Sequence, residues 1–257
     1  MILLFFSFLD IRIDREIIKK SHFIILFFNI TIPILLFLII DQFNNSIAEA
    51  AFITALAPTA IAAPVIMSLL RGKVEYVSFS LILTNSVIAL LIPFLLPLLL
   101  HKSADVSIIN ILLPVLYVFL IPLITAKSVR IVLPKLHSSL VKIKDSAFYF
   151  LLIGIYLGTS RASHYISTEM TSSLTILFII ALCSLLICFA DFSIGRLIGG
   201  EKDHLETSQS LGQKNNAFTI WIALTFISPI AVLGPVFYIL FQNIYISWQL
   251  HKTATAR

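Results

Sequence analysis

Ser208-Gln-Ser-Leu-Gly-Gln-Lys-Asn-Asn-Ala217 leads directly into an apolar run, Phe218 to Ile227. Gln209, Gln213, Lys214, Asn215 and Asn216 crowd into eight residues, with Ser210 between them and Gly212 in the middle. Amide oxygens, a hydroxyl and an ammonium in such density can coordinate an ion or hold a polar solute. A lipid-facing helix cannot carry them, because a lysine at the centre of a bilayer costs about 2.5–3.5 kcal/mol on insertion scales. Side chains of this kind belong in a protein interior or a wet cavity, and Gly212 allows the backbone to unwind where such a cavity is lined.

A counterpart lies far upstream, in Ala55-Leu-Ala-Pro-Thr-Ala-Ile-Ala-Ala-Pro-Val65. Pro58 and Pro64 each remove an amide donor and clash with the carbonyl four residues back, so both are expected to break an apolar segment. Thr59 sits beside the first break. Prolines and glycines are common in membrane helices on their own account. Two interrupted segments in corresponding halves of a chain, one of them polar, are nevertheless a pointer to the substrate site of a secondary transporter.

The elements that must position these groups are membrane helices. The hydrophobic fraction is 59% and the charged fraction 12%, against about 45–50% and 25% in soluble domains, and the mean hydropathy is +1.01. An all-α polytopic protein, one membrane domain over residues 1–257, follows. Apolar runs of spanning length are Phe23–Ile40, Ile47–Leu70, Val74–Leu100, Ile108–Thr125, Phe148–Arg161, Leu174–Ile198, Ser210–Ile227 and Ser228–Gln249, eight in all. Met1 to Leu9 is too short to cross a bilayer. With no basic start and no small-residue cleavage site it is a poor signal peptide, and it is read as the second half of a further span.

Basic residues set the orientation. Arg12, Arg15, Lys19 and Lys20, then Arg71 and Lys73, then Lys127, Arg130, Lys135, Lys142 and Lys144, then Arg196 and Lys202, then Lys252 and Arg257 fall on one side of the eight runs. Lys102 and Arg161 fall on the other, and Lys214 is inside a run. The positive-inside rule places the first set and the C-terminus in the cytoplasm of a cell (inner) membrane. Tyr76, Tyr245 and Trp248 are read as interfacial belt residues. Glu75 is read as the partner of Lys73, and Asp191 and Arg196 as snorkelling at the inner end of the sixth run.

Other classes find little support. The net charge of +5 is spread over short loops rather than one face, so no nucleic-acid partner is expected. Cys183 and Cys188 are five apart in one apolar run, point to different sides of a helix and are read as packing residues. The histidines fall at run ends or in loops, so no metal or other cofactor is expected. No paired-carboxylate or Ser/His set sits inside the membrane. Ser160, Ser163 and His164 read as a polar loop, so an enzyme is not expected.

Several motifs together resemble the bile acid:sodium symporter family. Arg71-Gly-Lys-Val-Glu75, after Ala57-Pro-Thr-Ala60, is similar to its fourth span, short turn and fifth span. Ala190-Asp-Phe-Ser-Ile-Gly-Arg-Leu-Ile-Gly-Gly200, the acidic connector Glu201 to Glu206 and Ser210-Leu-Gly-Gln-Lys-Asn215 resemble its eighth span, connector and glycine-containing ninth. Gly234-Pro-Val-Phe-Tyr238 with Gln242-Asn243 resembles its tenth. The resemblance covers about residues 1 to 250. It implies a ten-span fold of two inverted repeats, with residues 1–100 the remnant of the first and 106–250 the second. It also implies a core and panel, two broken helices crossing at mid-membrane, and alternating access. The first span and part of the second are not represented, which suggests a mis-called start, a truncated gene model or a decayed paralogue.

The departures bear on coupling. Sodium-coupled members have a Glu two residues before the ninth-span glycine and a Gln two residues after it, where this chain has Ser210 and Lys214. Their fourth-span crossing offers hydroxyl and amide oxygens, where this chain has Ala63 and Pro64. Thr84, Asn85 and Asn29 remain as polar wall residues. Lys214 is therefore expected in the space of a coupling cation. Sodium coupling of organic-anion transport would then be altered or absent, leaving a sodium ion or a proton as the coupling partner or a facilitated process with neither. Arsenite- or auxin-type efflux carriers share such broken helices, although Ala60 to Ala63 lack the cysteine expected of an arsenite carrier. A non-transporting paralogue is the remaining alternative.

Overall fold

The computed structural model describes residues 1–9, 17–99, 108–143 and 174–255, with isolated helical positions between 149 and 168. All regular structure among the described residues is helical. The elements are α1 (Ile2–Leu9), α2 (Lys20–Ile40), α3 (Asn45–Leu56), α4 (Ala63–Leu69), α5 (Val74–Leu99), α6 (Ile108–Val132), α7 (Pro134–Lys142), α8 (Leu174–Gly212), α9 (Asn216–Phe226) and α10 (Leu233–Thr255). A short 3-10 turn, Ile230–Val232, leads into α10.

Among the described residues, five stretches are long and apolar enough to cross a membrane: Lys20–Ile40, Val74–Pro97, Ile111–Val132, Leu174–Gly212 and Ile230–Thr255. The distribution of side chains is that of a protein solvated by lipid. Phe23, Phe27, Leu35, Leu38 and Ile39 of α2 are exposed, while Ile25, Asn29, Pro33 and Phe37 form its buried face. Beyond its first turn the exposed residues of α2 are apolar and Asn29 is inside, the reverse of a soluble fold.

Two of the apolar runs are not continuous helices. Ile47 to Leu70 is split into α3 and α4. Asn44 caps α3 by accepting from Ile47 N at 3.0 Å, and the helix stops at Leu56 because Ala57, preceding Pro58, is forced into extended backbone (φ −52°, ψ 128°). The break runs over 57–62, and Pro64 is not part of it. Pro64 lies in the first turn of α4, where its missing N–H costs nothing. The run Ser210 to Ile227 is likewise split. Ser210 and Gly212 are the last turn of α8 and the chain is unwound only at 213–215. Asn215 then caps α9, its side chain accepting from Phe218 N.

Helix α8 is a hairpin rather than a rod. Thirty-nine residues would extend about 58 Å at 1.5 Å each. Instead the chain reverses at Gly200, whose φ of 57° and ψ of −144° suit glycine alone. The second arm returns along the first: Ser208 Oγ donates to Phe192 O at 2.8 Å, and a Cβ on Gly195 would lie 2.7 Å from Ser208 Cα. Helix α10 fits as closely against α3, since a Cβ on Gly234 would meet Ala50 O at 2.6 Å. Helix α6 continues to Val132, seven residues beyond the expected Thr125. Lys102 and most of Phe148–Arg161 lie outside the described residues, whereas Ser160, Ser163 and His164, read as a loop, are helical.

Candidate functional site

The two unwound stretches meet. Thr59 and Lys214 form an antiparallel bridge, flanked by Ala60 N donating to Gln213 O at 2.8 Å and Asn215 N donating to Pro58 O at 2.7 Å. Main-chain groups orphaned by one broken helix are satisfied by the other, which makes each interruption tolerable in an apolar surrounding.

A polar network surrounds the bridge. Thr59 Oγ1 donates to Ser210 O at 2.6 Å and accepts from Thr84 Oγ1 at 3.0 Å. Thr84 Oγ1 also accepts from Thr59 N. Asn85 Nδ2 donates to Thr59 O at 2.9 Å, and Asn85 Oδ1 accepts from Asn215 Nδ2 at 3.1 Å. On the far side Gln213 Nε2 donates to Gln209 Oε1, and Gln209 in turn donates to Gln249 of α10. Asn216 Nδ2 donates to Lys214 O. All ten side chains expected to bind solute or ion (Asn29, Thr59, Thr84, Asn85, Gln209, Ser210, Gln213, Lys214, Asn215, Asn216) are buried. Ser210 Oγ, Asn216 Oδ1 and Asn29 Nδ2 have no hydrogen-bond partner among the described residues. Gly212, whose expected role was to unwind, instead lets Phe192 pack against the chain and offers its carbonyl to the Tyr238 hydroxyl at 2.7 Å.

Lys214 is the centre of charge. Its ammonium donates to Asn29 Oδ1 at 2.5 Å and Ala55 O at 2.9 Å, and lies 3.3 Å from Asp191 Oδ2, with both side chains 1% exposed. The reading of Asp191 as a snorkelling interfacial carboxylate is therefore corrected. It points inward, with the Tyr238 hydroxyl also at 3.3 Å, while Arg196 is exposed. A buried carboxylate needs a counter-charge, and Lys214 supplies it. Gln242, Gln249 and Tyr238 of α10 are further members of the network.

A second polar cluster lies away from the crossing. Asp203, in the α8 reversal, receives Lys19 at 2.6 Å and Lys73 at 2.7 Å. Glu206 accepts from Lys73 N at 2.9 Å, and Lys73 also reaches Lys202 O. The acidic partner of Lys73 is thus Asp203, and Glu75 is exposed. Tyr76 is not a belt residue. It is buried, stacked on His22 at 3.9 Å, with its hydroxyl 2.6 Å from Ser21 Oγ. Lys19, Lys73 and Lys202, assigned to one side by counting basic loops, do lie together.

Compared with protein-family models and with curated proteins, the sequence gives no match.

Proposed function

We propose that this is a secondary membrane transporter of a small organic anion, working by alternating access in the manner of the bile acid:sodium symporter family but without sodium coupling. One observation carries the reading. Two interrupted helices are paired through Thr59 and Lys214 inside a buried polar network, the arrangement from which transporters build a site at mid-membrane. The finer architecture belongs to the same proposal: two inverted repeats over residues 1–100 and 106–250, eight complete spans, a core moving against a panel, and a cytoplasmic C-terminus in the cell membrane. The absence of sodium coupling is supported by the ammonium of Lys214, which sits among the oxygens at the crossing.

The anion preference rests on the family resemblance alone. An ammonium has three N–H donors, and Asn29, Ala55 and Asp191 account for three acceptors, so Lys214 has no donor left for a solute. The same observation favours the second reading, a membrane protein of this architecture that does not transport.

Counterflow into proteoliposomes decides between them. Labelled organic carboxylates and sulfonates are offered with sodium on both sides, then with choline in its place. Saturable uptake that is equal in the two salts is the expected outcome. Counterflow that occurs in sodium but not in choline removes the uncoupled mechanism, and lack of counterflow for every anion favours the non-transporting protein.

A further inference from the structure

The oxygens around Lys214 Nζ come from three separate elements: Asn29 Oδ1 from α2, Ala55 O from the end of α3, and Asp191 Oδ2 from the first arm of α8. They converge on one point at 2.5, 2.9 and 3.3 Å. The Lys214 and Asp191 side chains are each 1% exposed. The amide of Asn29 is held there for its oxygen alone, since its Nδ2 has no partner among the described residues. The Tyr238 hydroxyl has one proton, which it donates to Gly212 O at 2.7 Å, while Asp191 Oδ2 lies 3.3 Å away; a neutral phenol cannot replace the positive charge. An anionic carboxylate, an amide oxygen and a main-chain carbonyl facing one position are what a small cation requires, and here the cation arrives on a tether from the crossing itself.

The geometry points to a monovalent-cation site, formed by Asp191, Asn29 and the Ala55 carbonyl, that the protein keeps filled with its own side chain. Emptied of that side chain, it takes a small primary alkylammonium from solution. The buried carboxylate drives the exchange: left unpaired it is strongly destabilising, and a diffusible cation of the right shape restores the pair. Selectivity for a primary ammonium follows from the number of acceptors, because three oxygens match three N–H donors. A quaternary ammonium offers none. This inference concerns binding by the folded chain and does not depend on transport.

The test uses the full-length protein purified in detergent, with unfolding followed by the fluorescence of Trp221 and Trp248. Lys214→Ala removes Cγ to Nζ, the skeleton of n-propylammonium. In choline chloride the variant unfolds below the wild type. Added n-propylammonium chloride raises its midpoint in a saturable manner, by about 5 °C or more at full occupancy. The uncharged 1-propanol does not, and the wild type does not respond. Lys214→Ala combined with Asp191→Asn carries no unpaired buried charge, folds, and is unresponsive. A response in Lys214→Ala no larger than that of the wild type overturns the site, as does one that persists undiminished in the double variant. The single variant is expressed and purified with n-propylammonium throughout. If it still fails to fold while the double variant folds, the site is likewise overturned, and so it is if neither folds.

Discussion

Lys214 and Asp191 form an ion pair at 3.3 Å with each side chain 1% exposed. A pair at that depth is not a large source of stability, because desolvation of two charges offsets their attraction. Breaking it is another matter. Asp191→Asn strands an ammonium and is expected to cost about 3–5 kcal/mol. Lys214→Met with Asp191→Asn, which leaves no buried charge, is expected to recover most of that loss. Thermal unfolding of the purified variants checks both, and additive single effects in the double-mutant cycle would mean that the two groups are not coupled.

Thr59→Val keeps shape and removes a hydroxyl that donates to Ser210 O at 2.6 Å and accepts from Thr84 at 3.0 Å. Both partners stay buried. The expected destabilisation is about 1–3 kcal/mol, the range for a buried polar group left unsatisfied. Thr59→Ser keeps the hydroxyl and is expected to lose less. Denaturant midpoints of the two variants give the comparison.

The Asp203 cluster is partly open to solvent, with Lys19 and Lys73 side chains 41% and 54% exposed. Asp203→Asn is expected to cost only about 1 kcal/mol, and less as salt is raised. The hydrogen bond that Lys73 donates to the Asp203 carboxylate holds its ammonium above the ordinary lysine value. A raised folded-state value means that the contribution of Lys73 is complete below the unfolded pKa and is lost as pH climbs through the folded one. Stability measured from pH 9 upward should therefore show the wild type losing its advantage over Asp203→Asn, the two curves converging as pH passes through the folded Lys73 value. Coincident curves would show that the contact does not persist in solution.

Orientation is open to labelling. In a Cys183→Ser, Cys188→Ala background, single cysteines replacing Lys73, Lys127 or Lys252 are expected to react with an impermeant maleimide in inside-out vesicles and to stay unlabelled in right-side-out ones. Reaction of the three from different sides would break the basic-loop assignment.

Several features were legible in the sequence because each involves a residue unsuited to its neighbours. Lys214 with its amides, and Pro58 within an alanine-rich apolar run, announce a break without any knowledge of the fold. The partners were harder. Asp191 is 23 residues before Lys214, across a reversal at Gly200 that no periodicity locates, so its burial against Lys214 is invisible in the sequence. Glu75 is nearer than Asp203 to Lys73 in sequence, yet the return arm of α8 delivers Asp203. Pro64 and Pro58 look alike as residues. Only helix phase separates a proline that opens α4 from one that closes α3. Gln249 was hidden because a glutamine near the end of an apolar helix is ordinary until α8 supplies Gln209 beside it.

The pairing of the two broken helices has a consequence for biogenesis. Thr59 and the residue whose carbonyl it bonds, Ser210, are 151 positions apart, and a ribosome adding about 5–20 residues per second needs roughly 8–30 s to cover that distance. Throughout that interval Pro58 O and Ala60 N lack their Asn215 and Gln213 partners, although Thr84 and Asn85 can already serve the Thr59 main chain. The nascent first half must therefore be sheltered by water, lipid headgroups or an insertion factor. Ribosome stalling before residue 210 should leave it an easy target for membrane quality-control proteases.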